Sequence, residues 1–347
     1  MDAIPRRLAL AALCLATSSV ACLDDLPSPA LVDDLRVLAV RADPPEVVPG
    51  AAVALDALVV DPNGRVPTYA WYACVVVEQG QGFFGGGSET STSGGNGTPL
   101  SDDPYGGSCE RRVAAGERYA VALGNQPTAT LQVPADFFAD DYTLRTAYGL
   151  GDDVEISQEV KAGFLGIAGV NYTVSLVVEV DGRRIETQKR VNVSLPSDLP
   201  DNAPNLNPTA LAFHAANAED EGAAPTNAPA PADGTCLIDA TVPFVAGERY
   251  RLTPVNIPDP QPKYVVLLAG TTTDAAFDLQ TIEETTFYSW FMTRGALKKA
   301  ISKAPGAPEN TWTFEDDDAG QTDLWVVVRD GRGGVSWCHQ NLLVGPR

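Results

Sequence analysis

From residue 35 onward, apolar positions come in short runs that Gly and Pro interrupt at close intervals. Residues 35–41 (LRVLAVR) precede Pro44-Pro45 and Pro49-Gly50, and residues 52–60 (AVALDALVV) precede the turn Asp61-Pro62-Asn63-Gly64. Residues 68–77 form a third run, rich in β-branched and aromatic side chains, which favour a pleated, half-buried surface. Short strands at this spacing predict an antiparallel sandwich.

Two pieces of this pattern occur twice. Tyr69-Ala70-Trp71-Tyr72 matches Tyr288-Ser289-Trp290-Phe291, and residues 177–183 (VVEVDGR) match residues 326–332 (VVVRDGR). In each half the aromatic strand comes first, and a hairpin with Asp-Gly at its turn closes the unit. The chain therefore reads as a duplicated β-sandwich. The first copy carries ~70 more residues between its Trp and its Gly than the second. The surplus falls on a Gly/Ser stretch, residues 79–108, and on residues 151–169, where one short helix is expected. Residues 35–193 form domain 1, 194–208 (SLPSDLPDNAPNLNP) the linker and 209–347 domain 2. Residues 215–234 read as an Ala/Pro-rich insertion too poor in apolar bulk to pack.

The N-terminus obeys a different rule. Arg6 and Arg7 precede an apolar run over residues 8–20, and Ser19-Val20-Ala21 supplies small residues before Cys22, the pattern of a cleaved secretory signal. A Cys directly after the cut resembles a bacterial lipoprotein signal. The resemblance implies a signal peptide at 1–21, acylation at Cys22 and a tether over 22–34. Cysteine arithmetic agrees: of the six cysteines Cys14 leaves with the signal, pairing Cys74, Cys109, Cys236 and Cys338 among themselves leaves Cys22 over, and exported proteins seldom keep an odd thiol. More than one acyl chain makes the anchor stable. The expected location is the outer membrane, on its periplasmic face or at the cell surface. No other apolar run approaches the ~20 residues of a spanning helix. The formal charge of −21 argues against nucleic acid and anionic lipid as partners, since both need a basic face.

The early Pro-Gly, the strand carrying Trp71 or Trp290, and the last hairpin, Val328-Arg329-Asp330-Gly331-Arg332-Gly333-Gly334, resemble the immunoglobulin-like and PKD-like sandwich domains of bacterial surface lipoproteins. The resemblance covers most of 35–77, 170–193 and 285–345. It implies an all-β chain of two immunoglobulin-like sandwiches. The cysteines depart from the immunoglobulin pattern: Cys74 shares a strand with Trp71, Cys236 precedes a strand and Cys338 lies in the final one. One pair per domain, Cys74 with Cys109 and Cys236 with Cys338, is the natural partition, and the sequence leaves the two other pairings open.

Candidate chemistry is sparse. Gly80-Gln81-Gly82-Phe83-Phe84-Gly85 fits GxGxxG, with Asp102 and Asp103 downstream, but the residues that follow cannot open the helix a pyrophosphate needs, so the segment reads as a loop. His214 and His339 are the two histidines, no GxSxG is present, and the spacing of Cys and His suits no zinc site. Asp152-Asp153 and Asp316-Asp317-Asp318 read as solvated turns, with weak calcium binding as the alternative. No catalytic residue, metal or cofactor is expected. The sharper candidate is a face: odd-numbered residues of the last two strands share one side, giving a Trp325, Trp337, His339 cluster that packs as core or stacks a sugar or a partner's apolar anchor. The expected function is a non-catalytic scaffold, adhesion or protein-binding module. An envelope glycan-binding protein is the first alternative and an exported hydrolase the second.

Overall fold

The computed structural model describes residues 28–76, 108–148, 156–209, 212–220, 231, 234–238, 242–257, 262–269 and 277–347. The expected signal, Cys22, the GxGxxG stretch, Asp102, Asp103 and Asp152-Asp153 lie outside them.

Domain 1 contributes β1 (Arg36–Asp43), β2 (Glu46–Val47), β3 (Ala52–Val60), β4 (Thr68–Cys74), β5 (Val121–Gly124), β6 (Thr128–Gln132), β7 (Val170–Val180) and β8 (Arg183–Val193). One sheet runs β1-β3-β6 and the other β2-β8-β7-β4-β5. Domain 2 contributes β9 (Ala212–Asn217), β10 (Phe244–Val245), β11 (Arg249–Val255), β12 (Lys263–Ala269), β13 (Phe277–Glu283), β14 (Thr286–Met292), β15 (Ala296–Leu297), β16 (Ile301–Ala304), β17 (Asn310–Thr313), β18 (Gly320–Arg329) and β19 (Val335–Gly345). Its two sheets run β15-β17-β11-β9 and β10-β19-β18-β14-β16, and β12 and β13 pair as a separate hairpin.

The two topologies correspond in their five-stranded sheets, whereas β15 on the edge of the four-stranded sheet has no counterpart among the described strands of domain 1. The order β2-β8-β7-β4-β5 corresponds to β10-β19-β18-β14-β16, down to the short parallel pairing of β2 with β8 and of β10 with β19. Each domain is an immunoglobulin-like β-sandwich with its own core. Trp71 sits centrally in the first and Trp290 in the second, both fully buried. Their indole N–H groups donate to Gln126 O at 2.8 Å and to Ser302 Oγ at 2.9 Å, so neither polar tip is left dry and unpaired.

Insertions account for the differences. Domain 1 carries α1 (Cys109–Ala114) after β4, and α2 (Tyr142–Tyr148) and α3 (Gln158–Ile167) between β6 and β7. The expected helix corresponds to α3, while α1 and α2 were not anticipated. Ser108 caps α1, accepting from the Arg111 amide, with Glu110 in the first turn and Arg111 and Arg112 in the last, each charge complementing the helix dipole. Domain 2 inserts the β12–β13 hairpin where domain 1 has the turn at Asp61-Pro62-Asn63-Gly64.

Two expectations about packing are corrected. Ala215, placed in a non-packing insertion, belongs to β9 and is buried beside Phe213, because a small side chain suffices opposite Leu252 on β11. Residues 28–34, expected as tether, are packed on both domains: Ala30 and Val32 are buried, the Met292 amide donates to Ala30 O at 2.9 Å, the Val32 amide donates to Met292 O at 2.8 Å, and Asp34 pairs with Arg65 and Arg183 of domain 1. The linker is docked as well. Ser194 Oγ donates to Glu46 Oε1 and the Asn205 amide to Oε2, each at 2.8 Å.

Candidate functional site

The register of the last hairpin pairs Trp325 with His339 and Val327 with Trp337, so the odd positions share one face of the sheet, and Cys338 points to the core side. The rings of Trp325 and His339 stack, with centroids 5.1 Å apart and planes 10° apart. The face divides into two parts.

The inner part is covered by domain 1. Trp325, Val327 and Val335 cluster with Val32, Leu38 and Ala39, flanked by Leu58, Val60, Phe291 and Trp337. A register shift between Val37 and Ala39 in β1 makes this possible: the extra residue of a bulge turns Leu38 outward beside Ala39 while Val40 and Ala42 stay in the domain 1 core. Trp325 is 6% exposed, and Trp337 is half-buried beneath the Arg41 guanidinium, 4.7 Å from its ring centroid. Arg41 is itself held by Asp56 at 3.0 Å. Domain 1 therefore covers Trp325 and part of Trp337, which is the packing alternative of the two that the sequence leaves open.

The outer part is open and polar. Asp323 Oδ1 lies 2.8 Å from His339 Nε2 and accepts from Asn341 Nδ2 at 2.9 Å, and Asn341 Oδ1 accepts from Gln321 Nε2 at 2.9 Å. His339 is exposed.

A polar clasp closes the junction at the hairpin loop, residues 330–334. Arg332 donates to Glu46 Oε2 at 3.2 Å and to Ala203 O at 3.1 Å, the Val335 amide donates to Asn207 Oδ1 at 2.9 Å, and Lys189 Nζ donates to Gly333 O. Arg329 adds a bond to Leu38 O at 3.1 Å. The Asp-Gly pattern in the sequence predicts only a turn here. The equivalent loop of domain 1 is the two-residue turn Asp181-Gly182, both at positive φ, which suits a tight hairpin. The added Gly333-Gly334 was the signal available. A Cβ on Gly334 would collide with Asp330 Oδ2 and come within 2.8 Å of Leu206 O, so only glycine admits the buried carboxylate.

The remaining candidates are separate from this face. Cys74 is joined to Cys109 and Cys236 to Cys338, one bridge in each domain. Asp316 and Asp317 are exposed, and Asp318 Oδ2 accepts the Glu315 amide at 2.7 Å, forming a turn. His214 lies on β9 opposite Thr253, far in the chain from Asp323 and His339. Among the described residues no three His, Cys, Asp or Glu side chains converge as metal ligands, and no helix is long and apolar enough to cross a membrane.

No protein-family model matches the chain, and no curated protein matches it. Among solved structures it is similar to a red sea bream transglutaminase, at 11% identity over 91% of this chain and 32% of that one, TM-score 0.22. A structure described as the basis of Dscam isoform specificity matches at 11% identity, covering 90% of this chain and 46% of that one, TM-score 0.20. The D0-D1 domain of intimin matches at 10% identity, covering 89% and 98%, TM-score 0.18. The chain thus spans less than half the length of the first two.

Proposed function

We propose that this chain is a non-catalytic, lipid-anchored envelope protein that presents two immunoglobulin-like domains as one stiff scaffold or adhesion module for a protein partner. The observation that carries the reading is the docking of residues 28–34 on the two domains, a few residues after the Cys22 anchor expected from the sequence. From Cys22 to Ser28 the chain reaches at most ~20 Å, so an acylated Cys22 would hold the domain pair close to the bilayer. The acidic body suits a solvent-exposed position outside the cytoplasm.

The first test is the intact mass of protein extracted from membranes. A mass equal to residues 22–347 plus acyl glycerol supports the anchor; an unmodified mass refutes it. Crosslinked co-purification from envelopes then tests for a protein partner. A second reading, glycan binding, is favoured by the exposed His339 ring and the adjoining Gln321, Asp323 and Asn341 row, which could stack a sugar and bond its hydroxyls. Its test is titration with polysaccharide fragments, with loss of binding in His339→Ala as the expected result and absence of binding to any fragment as the refuting one.

A further inference from the structure

The 330–334 loop is built around a buried carboxylate. Asp330 is 4% exposed, and its Oδ1 accepts the amides of Arg332 and Gly334, each at 2.8 Å. Its Oδ2 is buried and has no hydrogen-bond partner among the described residues. The same loop makes the contacts that hold domain 1 and the linker: Arg332 to Glu46 and Ala203, Gly333 to Lys189, and Val335 to Asn207.

Glu284 bears on this loop from the segment between β13 and β14, which packs on it: a Cβ on Gly331 would stand 3.8 Å from the carbonyl oxygen of Thr285 and 3.6 Å from the Phe287 ring. It is half-buried, and its carboxyl is pushed up to about 7, first by desolvation and then by the charge of Asp330, with Arg332 opposing. The charged and titratable groups around it are Asp330 and Arg332 on the loop and Tyr264 on β12, whose ring centroid is 4.9 Å from the Arg332 guanidinium. Beyond Arg332 stand Glu46 on β2 and, at Gly333, Lys189 on β8. A neutral Glu284 leaves Arg332 to Glu46 and adds no charge beside Asp330. An ionised Glu284 repels the orphaned Asp330 oxygen and competes with Glu46 for the guanidinium.

We propose that the 330–334 loop is a proton-sensitive latch between the domains: a protonated Glu284 keeps the loop clasped on Glu46 and the linker, and an ionised Glu284 loosens it. The latch would make the stiffness of the domain pair depend on the pH of its surroundings, a property independent of what the protein binds.

Amide hydrogen exchange of the full chain, read residue by residue and corrected for the intrinsic pH dependence, tests this directly. Protection of the Gly334 and Val335 amides is expected to fall about tenfold between about pH 6 and about pH 8, while Val326 and Cys338 on the core side stay constant. In Glu284→Gln both loop amides should keep the low-pH protection throughout. Glu46→Gln, which removes the ion pair that holds Arg332, should show the high-pH level already at about pH 6. A flat wild-type profile overturns the latch. So does an equal fall at Val326 and Cys338, which would be global unfolding, a pH response that survives in Glu284→Gln, or normal low-pH protection in Glu46→Gln.

Discussion

At the scale of single residues, polar groups buried in each sandwich tie the fold to pH. Tyr288 lies in the domain 2 core against Phe213 and Trp290, and desolvation pushes its phenol up to about 12. The folded chain holds a proton that an unfolded tyrosine releases near its ordinary value of 10.0. Its contribution is therefore fully present below that value and is lost as pH rises through the folded one. Tyr288→Phe removes the titration while keeping the ring. Denaturant midpoints measured at rising alkaline pH should fall more steeply for the wild type than for Tyr288→Phe, with the two nearly equal at neutral pH. Parallel slopes would show that other groups govern the alkaline limb.

At the scale of elements, the two disulfides stabilise by closing loops of different length. Cys74–Cys109 spans 35 positions and Cys236–Cys338 spans 102. On the chain-entropy account the bridges contribute ~4 and ~5 kcal/mol, so removing the second as a double Cys→Ala variant should cost ~1 kcal/mol more than removing the first. Equilibrium unfolding of the two variants checks the order. Cys74 and Cys338 lie on strands that were legible in the sequence, because alternation and β-branched runs mark β4 and β19, as they do β7, β14 and β18. The face shared by Trp325, Trp337 and His339 followed from parity alone. What covers it did not, since its partner strand β1 lies almost the whole chain away and periodicity carries no such information. A trace was present: Leu38, Ala39 and Val40 are consecutive apolar residues, the mark of a strand buried on both sides. Helices α1 and α2 left no comparable trace, being six and seven residues long and too short for a periodic signal.

At the scale of the whole molecule, stiffness depends on a third, smaller apolar cluster that belongs to neither sandwich. Leu38 and Ala39 of domain 1 meet Trp325, Val327 and Val335 of domain 2, and burial of a leucine side chain alone is worth ~2 kcal/mol. Because Val40 and Ala42 turn the other way into the domain 1 core, Leu38 can be changed without touching that core. Leu38→Asp would bury a carboxylate among indoles and aliphatic groups, costing several kcal/mol if the junction stayed shut, as at any site where a charge is buried unpaired. Undocking is the cheaper response. The wild type should then unfold in one calorimetric transition, since each domain leans on the other, whereas Leu38→Asp should unfold in two and scatter with a larger radius of gyration. A single transition with unchanged dimensions in Leu38→Asp would mean that the polar clasp of Arg332, Lys189 and Asn207 holds the domains unaided. Two transitions in the wild type would mean that the apolar cluster never coupled them.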